Sequence, residues 1–418
     1  MANGEYPRID TRDPATRARI GFVIELARRL HQYGAAAPRL EQALGLVAQR
    51  LGFECEALST PTSTVLSFSD RDGDGLAQFT QVLRMAPGDV NLARLCRADE
   101  IADRVIDGSL NPRDGLQQLR ELGRPLSRNG VYAIIGSYGL AAASIAVLLR
   151  TAWPDVIVSG VLGLMIGALT IAGIGRPRLA AASEAIAALL ATFITIAISA
   201  WIVPLALKSV VLSALIILVP GMTLTNAVRE LSSAHLVSGV SRMAGAIATL
   251  LKLTFGTVAA AQVCEVLNIR SMPHPWLPLP EWAQWPALLV GAVSFAMLFQ
   301  AARRDYFLVV SAVVVGYLAT HFGGIALGAP FGVFLGGLLL GALGNLYARV
   351  AHRPGALVRE PGILLLVPGS VGFRSVSYLF THEVGMGAQT GILLVTLLIA
   401  LVAGLLFGDL LVAPRRSL

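Results

Sequence analysis

LIILVPGMTLTNAVREL, residues 215–231, decides how the rest of the chain is read. The run is apolar enough to enter a bilayer, yet Pro220 and Gly221 sit in its interior, followed by Thr223, Thr225 and Asn226. Proline removes a helix hydrogen bond and glycine loosens the backbone. In hydrocarbon, the polar groups freed this way must find partners inside the protein or in a water-filled cavity. The stretch is therefore either a packing kink or a site.

It has a second copy. Residues 362–379 read GILLLVPGSVGFRSVSYL, and Leu-Val-Pro-Gly recurs at 366–369 as at 218–221, an offset of 148 residues (366 − 218). Around the two copies lie apolar segments near 131–149, 156–175, 179–202, 209–226, 243–267, 286–302, 306–321, 328–347, 362–380 and 388–412. Each approaches the ~20 residues that a bilayer requires. The same offset carries the fifth segment onto the tenth. The fold class expected is a small α+β cytoplasmic domain followed by an all-α membrane domain of about ten transmembrane helices in two inverted five-helix repeats. The second half enters upside down because five is odd. Inverted repeats with matching broken helices point to a secondary transporter. A chance match between apolar segments is the competing account.

Composition agrees with a membrane protein. Of 418 residues, 55% are hydrophobic and 14% charged, with 42 glycines, which excludes an ordinary soluble protein. The polarity is uneven and gives four parts: a soluble α+β domain at 1–130, five spans at 131–267, a Pro/Trp-rich outer linker at 268–285, and five more spans at 286–418. The linker's Trp276, Trp282 and Trp285 suit a membrane interface. In the soluble part, residues 17–51 read as a helical pair interrupted by Gly34 and Pro38, and Phe53–Phe68 and Leu76–Leu83 as β-rich stretches. Residues 89–122 return to helix, with Asn111-Pro112 as a start signal.

The amino terminus lacks the layout of a cleaved signal peptide, so the first domain is expected in the cytoplasm. Basic residues flanking the spans gather on that same side, from Arg120 and Arg124 through Arg176, Arg229, Arg242, Arg303 and Arg353 to Arg415 and Arg416. The other side has Arg150, Lys208 and Arg270. By the positive-inside rule both termini face the cytoplasm, in a multi-pass protein of the plasma (inner) membrane. The net charge of +7 reflects these loops rather than nucleic acid. Cys55, Cys96 and Cys264 show neither metal spacing nor a disulfide framework.

Six stretches carry a resemblance: YGAAAPRLEQAL (33–44), TPTSTVLSFSD (60–70), APGDVNLARL (86–95), LVPGMTLTNAVRELSSAHLVSGVSRM (218–243), LGALGNLYAR (340–349) and LLLVPGSVGFRSV (364–376). In this order they make the chain similar to the threonine/serine exporter family, whose members join a soluble amino-terminal domain to about ten spans. The resemblance implies export of threonine and serine coupled to the proton-motive force. It leaves this chain's own substrate open.

A helix restarting at Pro220 exposes unpaired amides and a partial positive charge, suited to an amino-acid carboxylate. Thr223, Thr225 and Asn226 can add hydrogen bonds. Ser370 and Arg374 follow Pro368 and Gly369 in the second copy, and carbonyls released before each proline could receive the substrate ammonium. The alternative is a structural kink with these side chains packed on neighbouring helices. Charges inside spans are costly and read as functional. Glu184 is the expected proton carrier and Lys252 its counter-charge, with an interfacial glutamate near Arg178 as the bland reading. Asp409 is expected at an interface, facing Arg415 and Arg416, and His321 and His382 at outer span ends.

In the soluble domain, Asp70, Asp72, Asp74 and Gly75 mimic the start of a calcium loop. Gln81 stands where a bidentate glutamate is needed, so a hairpin turn is expected and no metal. Thr60, Thr62, Ser63 and Thr64 suggest a nucleophile, but there is no Gly-x-Ser-x-Gly elbow and His31 is the domain's only histidine. A phosphate-binding Walker loop is also lacking, so ATP does not drive the protein. The expected partners are a small amino acid, protons and the bilayer, with no cofactor or nucleic acid and a homo-oligomer left open. The alternative is a membrane-anchored hydrolase or sensor acting through the soluble domain.

Overall fold

Proline in the first turn starts both amino-terminal helices, α1 (Pro14–Gln32) and α2 (Ala37–Arg50), and the Asp13 carboxylate caps α1 by accepting from the Ala15 and Thr16 amides. The computed structural model describes residues 13–70, 79–125, 127–273 and 278–414. Gly34, at φ +79, reverses the chain between the two helices. Strands β1 (Phe53–Thr60), β2 (Ser63–Asp70) and β3 (Phe79–Arg84) follow as one antiparallel sheet in the order β1-β2-β3. The two β-rich stretches are thus three strands. Alternate burial along β2 turns Thr64, Leu66 and Phe68 inward onto Phe22, Leu26 and Leu44. Helices α3 (Leu92–Ile106) and α4 (Pro112–Leu122) are capped by the Asn91 and Asn111 side chains. Asp72, Asp74 and Gly75 of the calcium-like stretch, and Trp276 of the linker, lie outside the described residues.

The remaining chain is helical: α5 (Arg128–Leu148), α6 (Trp153–Gly173), α7 (Pro177–Trp201), α8 (Leu207–Leu215), α9 (Gly221–Ser232), α10 (Leu236–Val266), α11 (Gln284–Leu298), α12 (Tyr306–Leu327), α13 (Ala329–Ala351), α14 (Ala356–Leu366), α15 (Gly369–Phe380) and α16 (Val384–Leu411).

This corrects the expected fold class. Among the described residues, eight helical segments are long and apolar enough to cross a membrane, not ten, and they do not divide into two sets of five. The fourth expected span is split by Pro220 into α8 and α9, of nine and twelve residues. The sixth is α11, whose 15 residues reach about 22 Å at 1.5 Å per residue, short of a ~30 Å hydrocarbon core. The β component is the single small sheet, and helix dominates throughout.

Small residues set the closest helix contacts. A methyl group on Gly408 of α16 would stand 2.6 Å from the Leu338 carbonyl oxygen of α13, and one on Gly163 of α6 would stand 2.8 Å from Ala142 Cβ of α5. These seams pack backbone on backbone.

The amino-terminal domain sits on one end of the helices. The Leu92 and Ala93 amides donate to the Phe299 and Gln300 carbonyls just after α11, at 2.9 and 3.2 Å, and Asn91 Nδ2 donates to Gln300 Oε1 at 2.7 Å. A second attachment runs through the α9–α10 turn. Glu230, fully buried, accepts from Ala37 N (3.3 Å), Ser238 Oγ (2.8 Å) and Arg242 Nε (3.0 Å).

Candidate functional site at the paired helix breaks

Both breaks have nearly the same backbone. Pro220 lies at φ −78, ψ 47 and Pro368 at φ −78, ψ 38, each as the residue that precedes a new helix. Around Pro220 the chain makes a tight inverse γ-like turn, in which the Gly221 amide donates to the Val219 carbonyl at 2.7 Å. Each helix then restarts on its proline carbonyl, which accepts from Leu224 N at 3.0 Å and from Gly372 N at 3.1 Å. The amides in between, at 222, 223, 370 and 371, belong to first turns and have no partner within their helices.

The structure brings the two breaks into contact. A methyl group on Gly369 would lie 3.0 Å from the Gly221 Cα and 2.9 Å from Val219 Cγ1, and one on Gly221 would overlap Val367. Only glycine lets the two backbones come this close. Polar groups border the contact. Pro220, Gly221, Pro368 and Gly369 are all buried.

The predicted polar residues divide into three groups. Thr223, Asn226 and Ser370 are half-buried, and among the described residues their side chains have no hydrogen-bond partner in the protein. Thr225 is buried and spends its hydroxyl on its own helix, donating to the Gly221 carbonyl at 3.2 Å. Arg374 points away: it is exposed, while Gly372, Phe373 and Ser375 beside it are buried.

Glu184 on α7 and Lys252 on α10 meet, with Nζ 3.6 Å from Oε2. The Glu184 Oε2 atom is out of solvent and accepts no hydrogen bond, while Lys252 remains 42% exposed. The pair occupies the α7–α10 seam. The face of α10 that meets the breaks instead carries Leu250, which packs near Gly372, and Leu253. Ion pair and breaks thus share α10 and use different sides of it.

Several polar groups escaped sequence reasoning. Glu230, Arg242 and Ser238 form the buried cluster at the α9–α10 turn. His235 beside it places Nδ1 2.8 Å from the Ser233 carbonyl and Nε2 3.0 Å from the Glu41 carboxylate. Asp409, expected to face Arg415 and Arg416, takes Asn345 Nδ2 at 2.6 Å and lies 3.5 Å from Arg359 and 3.9 Å from Arg229. Arg415 and Arg416 lie outside the described residues. A usable signal existed for Glu230: a carboxylate in a helix's last turn opposes the helix dipole and calls for a partner.

In the amino-terminal domain the hydroxyls bond one another. Thr60 Oγ1 lies 2.9 Å from Ser63 Oγ, and Ser59 Oγ 3.4 Å from Thr64 Oγ1. His31 is buried, with Nε2 donating to the Pro61 carbonyl at 3.1 Å and burial pulling its pKa below the usual 6.5. Among the described residues, no three His, Cys, Asp or Glu side chains gather as a metal site would require.

These features define a class: a multi-pass helical membrane protein with an α+β amino-terminal domain seated on one end and two helix breaks in contact inside. Comparison with known sequences narrows it. The chain matches the threonine/serine exporter family over residues 21–264 and again over residues 285–411, and it belongs to that family. Among curated relatives it is similar to pheromone-regulated membrane protein 10 of Debaryomyces hansenii, 24% identical over 85% of this chain and 36% of the relative. The protein of that name in Yarrowia lipolytica is 26% identical, over 84% of this chain and 30% of its own length. The one in Eremothecium gossypii is 23% identical, over 85% and 48%. The chain thus spans less than half the length of these relatives. No solved structure matches it.

Proposed function

We propose that this protein exports threonine, serine or similarly small amino acids across the plasma (inner) membrane in exchange for protons, with both termini in the cytoplasm. The observation that supports this most directly is the Gly221–Gly369 contact. Two helix starts converge there, each with free first-turn amides and a partial positive charge suited to a carboxylate. Thr223, Asn226 and Ser370 border the contact with hydrogen-bonding capacity unspent. In the present state the breaks are closed on each other. Alternating access separates them toward one side and then the other, and a substrate held between them favours the separated forms.

Glu184 is the proton carrier in this reading. Protonation removes the charge that Lys252 balances at 3.6 Å and frees α7 and α10 to shift along their seam. The test is threonine and serine efflux from reconstituted vesicles with and without an imposed pH difference. Wild-type protein accelerates efflux when protons can enter. Glu184→Gln continues to exchange labelled for unlabelled threonine but loses the response to pH. An unchanged pH response in that variant would remove Glu184 from the mechanism. A wild-type protein that moves neither amino acid would overturn the transport reading itself.

A further inference from the structure

A small cavity with four charged residues on its border lies where the amino-terminal domain meets the membrane helices. It has a volume of about 40 Å³ and is bordered by Arg39 of α2, Asp99 of α3, Arg229 of α9 and Glu360 of α14. By volume it holds about three waters, since one needs roughly 10–15 Å³. Leu30, Leu40, Val90 and Leu95 help to make most of its wall apolar.

Its position is informative. Arg229 stands on the helix that begins at the first break, and Glu360 on the helix that ends at the second. The cavity therefore caps the ends of both elements that meet at Gly221 and Gly369.

Its charges are also unusual. Two guanidinium groups and two carboxylates border it, so their charges sum to zero. Arg229 leans on Asp409 at 3.9 Å. Arg39 is half-buried, and among the described residues its guanidinium has no hydrogen-bond or ion-pair partner. Burial first, and then Arg229, weaken its hold on its proton, against the pull of Asp99, Glu360 and Asp409. A charge removed from water without a close partner is costly, so such a group is expected to meet an opposite charge from elsewhere. A simple anion would also face Asp99 and Glu360, and a simple cation would face both arginines. A ligand carrying one charge of each sign can meet both kinds of border residue.

We infer that this cavity is a vestibular binding site for a small zwitterionic α-amino acid, its carboxylate on Arg39 and Arg229 and its ammonium toward Asp99 and Glu360. The inference rests on the export reading and adds a station on the domain side of the breaks, where substrate is held before it passes between them. The small volume means that the domain shifts slightly outward to admit a ligand.

The test reads the cavity locally, independently of flux. Ala36, which borders the cavity, is replaced in full-length protein held in lipid nanodiscs (Ala36→Cys), and its maleimide labelling rate is followed against added ligand. The ligands are L-threonine, 1-amino-2-propanol, which lacks the carboxylate, and 3-hydroxybutyrate, which lacks the amine. Threonine is expected to half-protect at a concentration about tenfold below either analogue, as a site built for both groups rejects ligands missing one. Adding Arg39→Gln raises the threonine value about tenfold and leaves that of the amino alcohol unchanged, while Arg39→Lys restores most of the protection. Damage to the fold would weaken all ligands alike, with no recovery in the lysine variant. Absent or indiscriminate protection, or an Arg39→Gln variant with unchanged threonine protection, overturns the site. Protection as expected in a protein that carries no flux would instead overturn export and leave the binding site standing.

Discussion

Glu230 ends α9, where the helix's own carbonyls oppose a carboxylate, and it is wholly buried. What holds it there is a set of three donors from two helices: Arg242 and Ser238 from the next helix, and the Ala37 amide from the start of α2. Replacing it with alanine leaves Arg242 facing a buried void with no counter-charge. Glu230→Ala should therefore cost about 3–5 kcal/mol, the penalty for breaking a buried pair from one side. Glu230→Gln, which fills the same space and keeps one acceptor oxygen for either Ser238 or the Ala37 amide, should lose distinctly less; thermal unfolding of the purified chain in detergent separates the two. Such residues were hard to read from sequence because their partners lie far along the chain, Ala37 at a separation of 193 positions. Glu184 and Lys252 were easier, since a charge within an apolar run is conspicuous on its own. Asp409 gains partners of the harder kind: Asn345 and Arg359 are distant in sequence and near in space.

At the scale of elements, the repeated Leu-Val-Pro-Gly located both helix breaks before any coordinates. Proline cannot continue a helix in either copy, so the restarts fall at Gly221 and Gly369. Their mutual contact depends on two residues without side chains. Gly369→Ala should push Val219 and Gly221 away, costing about 1–3 kcal/mol as overpacking and abolishing threonine efflux from loaded vesicles. Efflux at the wild-type rate would show that the contact is not where substrate passes. The number of spans was less legible than their positions. Apolar composition marked α8, α9 and α11 as membrane segments, but hydropathy does not register how far a helix extends, and the Pro220 break and the short α11 reduce the spans to eight among the described residues. The β-rich stretches resolved into three strands because the tight turn at Pro61 and Thr62 falls inside what reads as one continuous run.

For the molecule as a whole, the amino-terminal domain and the membrane helices share charged groups across their boundary, so acid should act on both together. His31 is held neutral by burial, with Arg242 of α10 adding to the effect, so it protonates below its ordinary 6.5. The unfolded chain takes up that proton first as pH falls. Stability should therefore decline as pH drops below about 6.5 toward the lower folded value, because the unfolded state then binds more protons. His31→Gln should flatten that slope, which thermal melts of the full chain at stepped pH would reveal; an equally steep slope would relieve His31 of the effect. The same whole-molecule view gives the shortness of α11 a meaning. One side of that helix, at Leu289, Val290 and Val293, is open to the surroundings. Acyl chains touching it must compress or leave the ends of the helix wet, at a modest cost for each ångström of mismatch. A bilayer of ordinary thickness would have to thin along this flank of the protein, and the thickness of the host lipids becomes a setting on how the helices rest in it.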